Sequence, residues 1–402
     1  MWKKPVSLVN ARVVTPHGLA GSIRFGHQVL GVGDSPARRD VVVDAEGAFV
    51  LPGLINAHDH LELNHYGALK GRERYANASE WIRDMEPRLQ GDPGVRANRA
   101  HPLASRLFVG ALKNLLSGVT TVGHHNPRYR EMGLHFPVRV VRRYGWAHSF
   151  FLEGGRAGAR GEPAGFVDAR FRATPSGAPF IMHLAEGTDD EAASELGRLE
   201  AMGCLAANSV LVHGVGLSDD DWERIVMRGA ALVWCPASNA FLFGRTVRSG
   251  AILDGARGKA RVCLGTDSRL TGSRDLLDEL RAAAPNASAE ALLPMVTTTA
   301  ADVLRLRGAG QLVPGGPADL LVIPASGRDA AASLVRTSRR DVALVALGGR
   351  PIVGTPAFAA AFHARSGGAL PMTVDGLPRI AEPWLARAVA RCPIAEPGVT
   401  CP

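Results

Sequence analysis

Three features of this chain predict an α/β barrel of parallel strands flanked by a small β-sandwich. First, three short apolar runs, at residues 51–60, 180–186 and 262–268, end in an imidazole or a carboxylate. A buried parallel strand looks like this when it delivers a side chain at its C-terminal tip. Second, between residues 53 and 307 strand-like runs alternate with helical stretches, as a parallel sheet with crossover helices requires. Third, 402 residues, 46% of them apolar, accommodate one barrel of about 250 residues and a smaller accessory unit.

The elements follow in chain order. Residues 1–52 hold short apolar runs separated by turn residues, the pattern of a small β unit. A matching piece spans 308–355. Neither piece could easily bury a face alone, so the two are expected to pair into one sandwich beside the barrel at 53–307. Helices are predicted at 102–116, 189–202, 218–228, 274–284 and 288–306, with Gly118 and Gly203 at C-terminal cap positions. Between 150 and 180 there is room for one short helix, at 164–173, and the middle barrel strand expected in this stretch has no clear place. Residues 356–402, Ala-rich and then Pro-rich, read as an appended helix with a loose tail.

Composition excludes several classes. No stretch approaches the roughly 20 apolar residues of a membrane span, and the N-terminus lacks a secretory h-region. Five cysteines, odd in number and without CxxC spacing, point to a reduced, cytoplasmic protein. The net charge of +8 comes from arginines scattered along the chain, which argues against a nucleic-acid surface.

The chemistry lies at the strand tips. His58 and His60 are two apart on a predicted strand, so both leave the same face, where two imidazoles can bind one divalent ion such as zinc. His183 and Asp267, each ending its own strand, complete a four-ligand set. Such a centre leaves a position for water, whose pKa the metal lowers to about 7. Glu186, three residues past His183, is placed to act as general acid/base. His213 ends the run Val210-Leu-Val-His213 and would bind the metal or polarise the substrate. Asp59, Glu62, Asn64, His124 and His125 form polar clusters beyond the first two strands, where substrate contacts fall at this face of a barrel. Trp234 and Asn239 are expected to be structural.

The run Pro52-Gly-Leu-Ile-Asn-Ala-His58-Asp-His60-Leu resembles the first-strand signature of the amidohydrolase superfamily. His183-Leu-Ala-Glu186, Val212-His213-Gly, Trp234-Cys-Pro-Ala-Ser-Asn239 and Gly265-Thr-Asp267 are similar, in order, to later strands of its cytosine-deaminase and chlorohydrolase-like branch, and 312–321 to its closing strand. The resemblance covers residues 5–355. It implies a distorted TIM (β/α)8-type barrel with a β-sandwich, and hydrolysis of a C–N, occasionally C–Cl, bond on a small substrate. It makes His58, His60, His183 and Asp267 the metal ligands, Glu186 the proton shuttle and His213 a neighbour of the metal, with Asp267 also accepting a proton. Binuclear members resemble one another in a bridging lysine or glutamate from a middle strand. None of the five lysines here is predicted at a strand tip, so one divalent ion, zinc or iron, is expected. The leading reading is an aminohydrolase that deaminates a small nitrogen heterocycle by attack of a metal-bound hydroxide, with a homodimer as the expected assembly. The same residues also suit a hydrolase of cyclic amides or imides that releases no ammonia, or a binding protein on the same barrel.

Overall fold

The computed structural model describes residues 3–133, 135–150 and 166–402. Eight barrel strands run in order: Leu54–Asp59, Val119–His124, Arg139–Val140, Gly145–Ala147, Phe180–Leu184, Ser209–His213, Ala231–Trp234 and Arg261–Leu264. They form parallel sheets of three and five strands. The Asp267 N–H donates to the His58 carbonyl at 3.1 Å, joining the tip of the eighth strand to that of the first. The first, second, fifth, sixth and seventh strands are buried at every position. That explains why the fifth, sixth and seventh read as nearly continuous apolar runs rather than alternating ones.

Local signals position the helices around these strands. Asp189 caps Asp190–Ala201, and Ser218 with Asp221 forms a capping box on Asp219–Met227. Helix Leu103–Leu116 turns its C-terminal half inward, where even Lys113 and Asn114 are buried. At Gly265 a side chain is excluded: a Cβ there would sit 2.7 Å from the Cβ of His58. The eighth strand therefore approaches the first closely enough to share a site with it. The helix expected at 164–173 is present as Phe166–Ala173. The fourth strand, Gly145–Ala147, precedes the stretch at 150–180 in which it was sought. Residues 151–165 of that stretch lie outside the described residues.

The terminal segments share a nine-stranded sheet, in which Phe49–Pro52 pairs antiparallel with Leu320–Ile323. A four-stranded sheet from residues 6–44 faces it across a second core that includes Phe25, Leu320 and Phe362. The loose tail expected after 356 is instead built into this structure. Helices Ala359–Ser366 and Pro383–Arg391 bracket a hairpin, Leu370–Val374 with Leu377–Ala381, that extends the sheet. Its turn is Asp375-Gly376, both with positive φ (47° and 80°), the combination a tight hairpin requires. Buried Glu396 then accepts two bonds from Arg269 (2.7 and 2.8 Å) and also pairs with Arg339, so the final segment is anchored to the loop after the eighth strand.

Candidate metal centre

At the C-terminal ends of the strands, His58, His60, His183, His213 and Asp267 converge. Three strand ends pay a conformational cost to aim these groups: Ala185, His213 and Asp267 have positive φ (50°, 78° and 52°) without being glycine. His60 Nε2 lies 3.3 Å from His183 Nε2, and Asp267 Oδ1 lies 3.6 Å from His60 Nε2 and 3.8 Å from His58 Nε2. Neighbouring nitrogens on a tetrahedral zinc with ~2.0 Å bonds stand about 3.3 Å apart.

The donor set also fits a cation chemically. His183 Nδ1–H donates to the His148 carbonyl at 2.8 Å, which leaves Nε2 as a bare lone pair aimed at that of His60. Both ring nitrogens of His58 are buried without a hydrogen-bond partner. Burial, with neighbouring imidazoles adding to it, holds His58 and His183 well below the usual histidine pKa, in the neutral form a metal needs. Asp267 is the charged member. Burial pushes its pKa up, but His60, His213 and hydrogen bonds from Thr271 and the Ser268 N–H outweigh that and hold it below the usual carboxylate range. Its Oδ2 is fixed by Ser238 Oγ (3.0 Å) and Thr271 Oγ1 (2.7 Å), leaving Oδ1 toward the histidines.

Glu186 lies beside this set, with Oε1 3.4 Å from His213 Nε2. Burial first, and then the nearby carboxylates Asp267 and Glu195, raise its pKa well above the ordinary carboxylate value. His213 donates from Nδ1 to Asn239 Oδ1 (2.9 Å) and keeps Nε2 free on the Glu186 side. Asn239, expected to be only structural, thus sets the tautomer of a site histidine. Trp234 is wholly buried and bonds to Thr246, as a structural residue would.

A cavity of about 460 Å³ opens over these groups. His60, His183, Glu186, His213 and Asp267 form its floor, and Leu63, Tyr66, Trp81, Ile82 and Leu89 form an apolar wall. Arg99, Arg106, Asn126 and His148 add polar groups. Of the residues expected to touch substrate, Glu62, Asn64, His124 and His125 are all buried and do not line this cavity. Glu62 bonds to Asn126 (2.5 Å) and so holds a wall residue from behind. His125 lies under the floor, its ring 4.3 Å from that of His183. Asp59 points away from the cavity, into the barrel wall. His148 gives no sequence signal because it follows a strand only three residues long; the helix carrying Trp81 and Ile82, Ala78–Gly91, has no sequence signal linking it to the centre.

The fold and this centre define a TIM-barrel-type protein with a histidine-rich metal site. Comparison with known proteins narrows the class. Residues 164–352 match the model of the Amidohydrolase family. The chain is 29% identical to a 5-methylthioadenosine/S-adenosylhomocysteine deaminase of Natronomonas pharaonis, over 74% of this chain and 77% of that protein. It is 26% identical to a 5'-deoxyadenosine deaminase of Methanoregula boonei, over 71% and 73%. Among solved structures, the zinc complex of atrazine chlorohydrolase from Arthrobacter aurescens superposes with a TM-score of 0.71 at 20% identity, over 87% of this chain and 95% of that one. A zinc-bound adenosine deaminase from Xanthomonas campestris gives 0.65 at 18% identity, over 86% and 92%. An amidohydrolase-family domain thus spans residues 164–352 of this chain.

Proposed function

We propose that this protein is a mononuclear, metal-dependent aminohydrolase that replaces the amino group of a nucleoside-like heterocycle with oxygen and releases ammonia. His58, His60, His183 and Asp267 hold the ion, for which zinc suits the three-imidazole, one-carboxylate set. Such an ion lowers the pKa of a bound water toward 7 and so supplies a nucleophile at neutral pH.

The observation that carries the reading is Glu186: a buried carboxyl, 3.4 Å from His213 Nε2 and beside the ligand set, whose surroundings favour its protonated form. A protonated acid there can donate to a ring nitrogen of the substrate, which makes the adjacent amino-bearing carbon electrophilic. Glu186 then returns to its protonated state by taking up one proton from the nucleophile, while the second, held in between by Asp267, passes to the leaving ammonia. Asp267, held ionised, is available to accept the other proton. His213 Nε2 orients the Glu186 carboxyl or a substrate oxygen.

The relatives' names support an aminopurine nucleoside as substrate, and a 460 Å³ cavity lies within the range of small-molecule sites. Tyr66 and Trp81 offer flat apolar surface for a base or sugar. Glu186→Gln tests the assignment. Ammonia release should fall ~10²- to 10⁴-fold with metal content unchanged; unaltered turnover would remove Glu186 from the mechanism. Loss of turnover together with loss of metal would assign Glu186 to the ligand set instead.

A further inference from the structure

Behind the two histidines of the first strand lies a charged pair that the proposed chemistry does not use. Asp59 sits between His58 and His60, so its side chain leaves the opposite face of the strand, away from the ion. It meets Lys113, from helix Leu103–Leu116, at 3.1 Å, and both side chains are wholly excluded from solvent. An isolated charge in that position would be very costly, and the pair persists because every valence is satisfied. Lys113 Nζ donates to Asn64 Oδ1 (2.7 Å) and Thr266 Oγ1 (3.2 Å), and lies 3.5 Å from the Asp267 carbonyl. Asp59 accepts from Asn64 (2.7 Å), Asn114 (2.7 Å) and Asn56 (3.3 Å). Asn56 closes the circuit: its Nδ2 donates to Thr266 Oγ1 (2.9 Å) and its Oδ1 accepts the Thr266 N–H (3.1 Å).

The circuit therefore spans the two strand tips that supply three of the four ligands proposed above. Asp59 belongs to the segment between His58 and His60, and Thr266 precedes Asp267. A clamp of this kind could have been built from apolar packing, which would fill the wall as well. Directional bonds from one ammonium to both tips add a fixed distance between them. We propose that Lys113 and Asp59 are positioning residues that set the spacing of the His58–His60 pair against Asp267, and thereby the affinity and geometry of the metal site. The inference rests on the ligand set of the preceding section.

The test is zinc affinity, by competition with a chromophoric chelator, alongside melting of the metal-free proteins and the visible spectrum of the cobalt-substituted forms. Lys113→Met should weaken zinc binding about tenfold or more, the range typical of residues that orient metal ligands, and should alter the cobalt bands. Because Lys113→Met strands a buried carboxylate, at a cost large enough to threaten folding, Thr266→Val and the doubly neutral Asp59→Asn/Lys113→Met serve beside it. Thr266→Val keeps the ion pair and the Thr266 N–H bond to Asn56 but removes the hydroxyl that Lys113 and Asn56 both reach on the eighth strand, and should also bind zinc several-fold more weakly. The double variant should recover metal-free stability but not zinc affinity. Folded Thr266→Val and double variants with parental zinc affinity and cobalt spectrum would overturn the proposal and leave the pair as wall filling. His58→Ala separates the two levels of inference: if it retains zinc, the ligand set itself is wrong, whatever Lys113 does.

Discussion

Buried carboxylates in this barrel fall into two electrostatic kinds, and their environments separate them. Asp267 is surrounded by imidazoles and donors and stays ionised. Glu186 is pushed the other way, first by burial and then by the neighbouring carboxylates. Two acids of one site are thereby shifted in opposite directions, as acid–base chemistry on one substrate requires. Glu279 shows the same physics away from the ion. It is fully buried, accepts from the Ala237 N–H at 2.8 Å, and burial pushes its pKa up to about 7. The folded state therefore binds its proton more tightly than the unfolded chain does. Its contribution to stability is complete below about pH 4.5 and is lost as pH rises through 7, amounting to roughly 3 kcal/mol. Melting temperatures of Glu279→Gln and the parent, measured from pH 5 to 8, should show a smaller decline in the variant. Parallel curves would mean that Glu279 titrates normally.

At the scale of elements, strand ends were the legible part. A buried strand must be apolar along its length, so a histidine or aspartate at its end stands out; His58, His60, His183, His213 and Asp267 do meet in space. Pairing of the terminal β segments was readable for a related reason, since neither could bury a face alone. Long-range packing left no comparable trace. Lys113 looks like any helical lysine until the helix is docked and its ammonium finds Asp59. His148 follows a strand too short for a periodic signal. The tail was misread because alanine and proline content outweighed the Asp375-Gly376 turn flanked by two strand-like runs, which was the better local signal.

For the whole molecule, the sheet assembly and the metal-binding face are mechanically joined. Arg269, two residues past Asp267, bonds to Glu396 of the last segment and, through its N–H, to Asn64 Oδ1 (3.2 Å). Asn64 is itself part of the Lys113 circuit. The C-terminal segment thus braces the loop that carries Asp267. Glu396→Ala would leave the buried Arg339 and the partly buried Arg269 short of this carboxylate and should cost about 3–5 kcal/mol of stability, read as a lower melting temperature; an unchanged melt would contradict the bracing.

The most direct measurement for the central claim is ammonia release by the zinc-loaded protein, over a panel of 6-aminopurine nucleosides extended to aminated pyrimidines, pterins and triazines, with His58→Ala as control. The account predicts ammonia from at least one aminopurine nucleoside, lost in the control together with zinc. Zinc-replete protein that releases no ammonia from any of them, or a His58→Ala variant that turns over as the parent does, would contradict it.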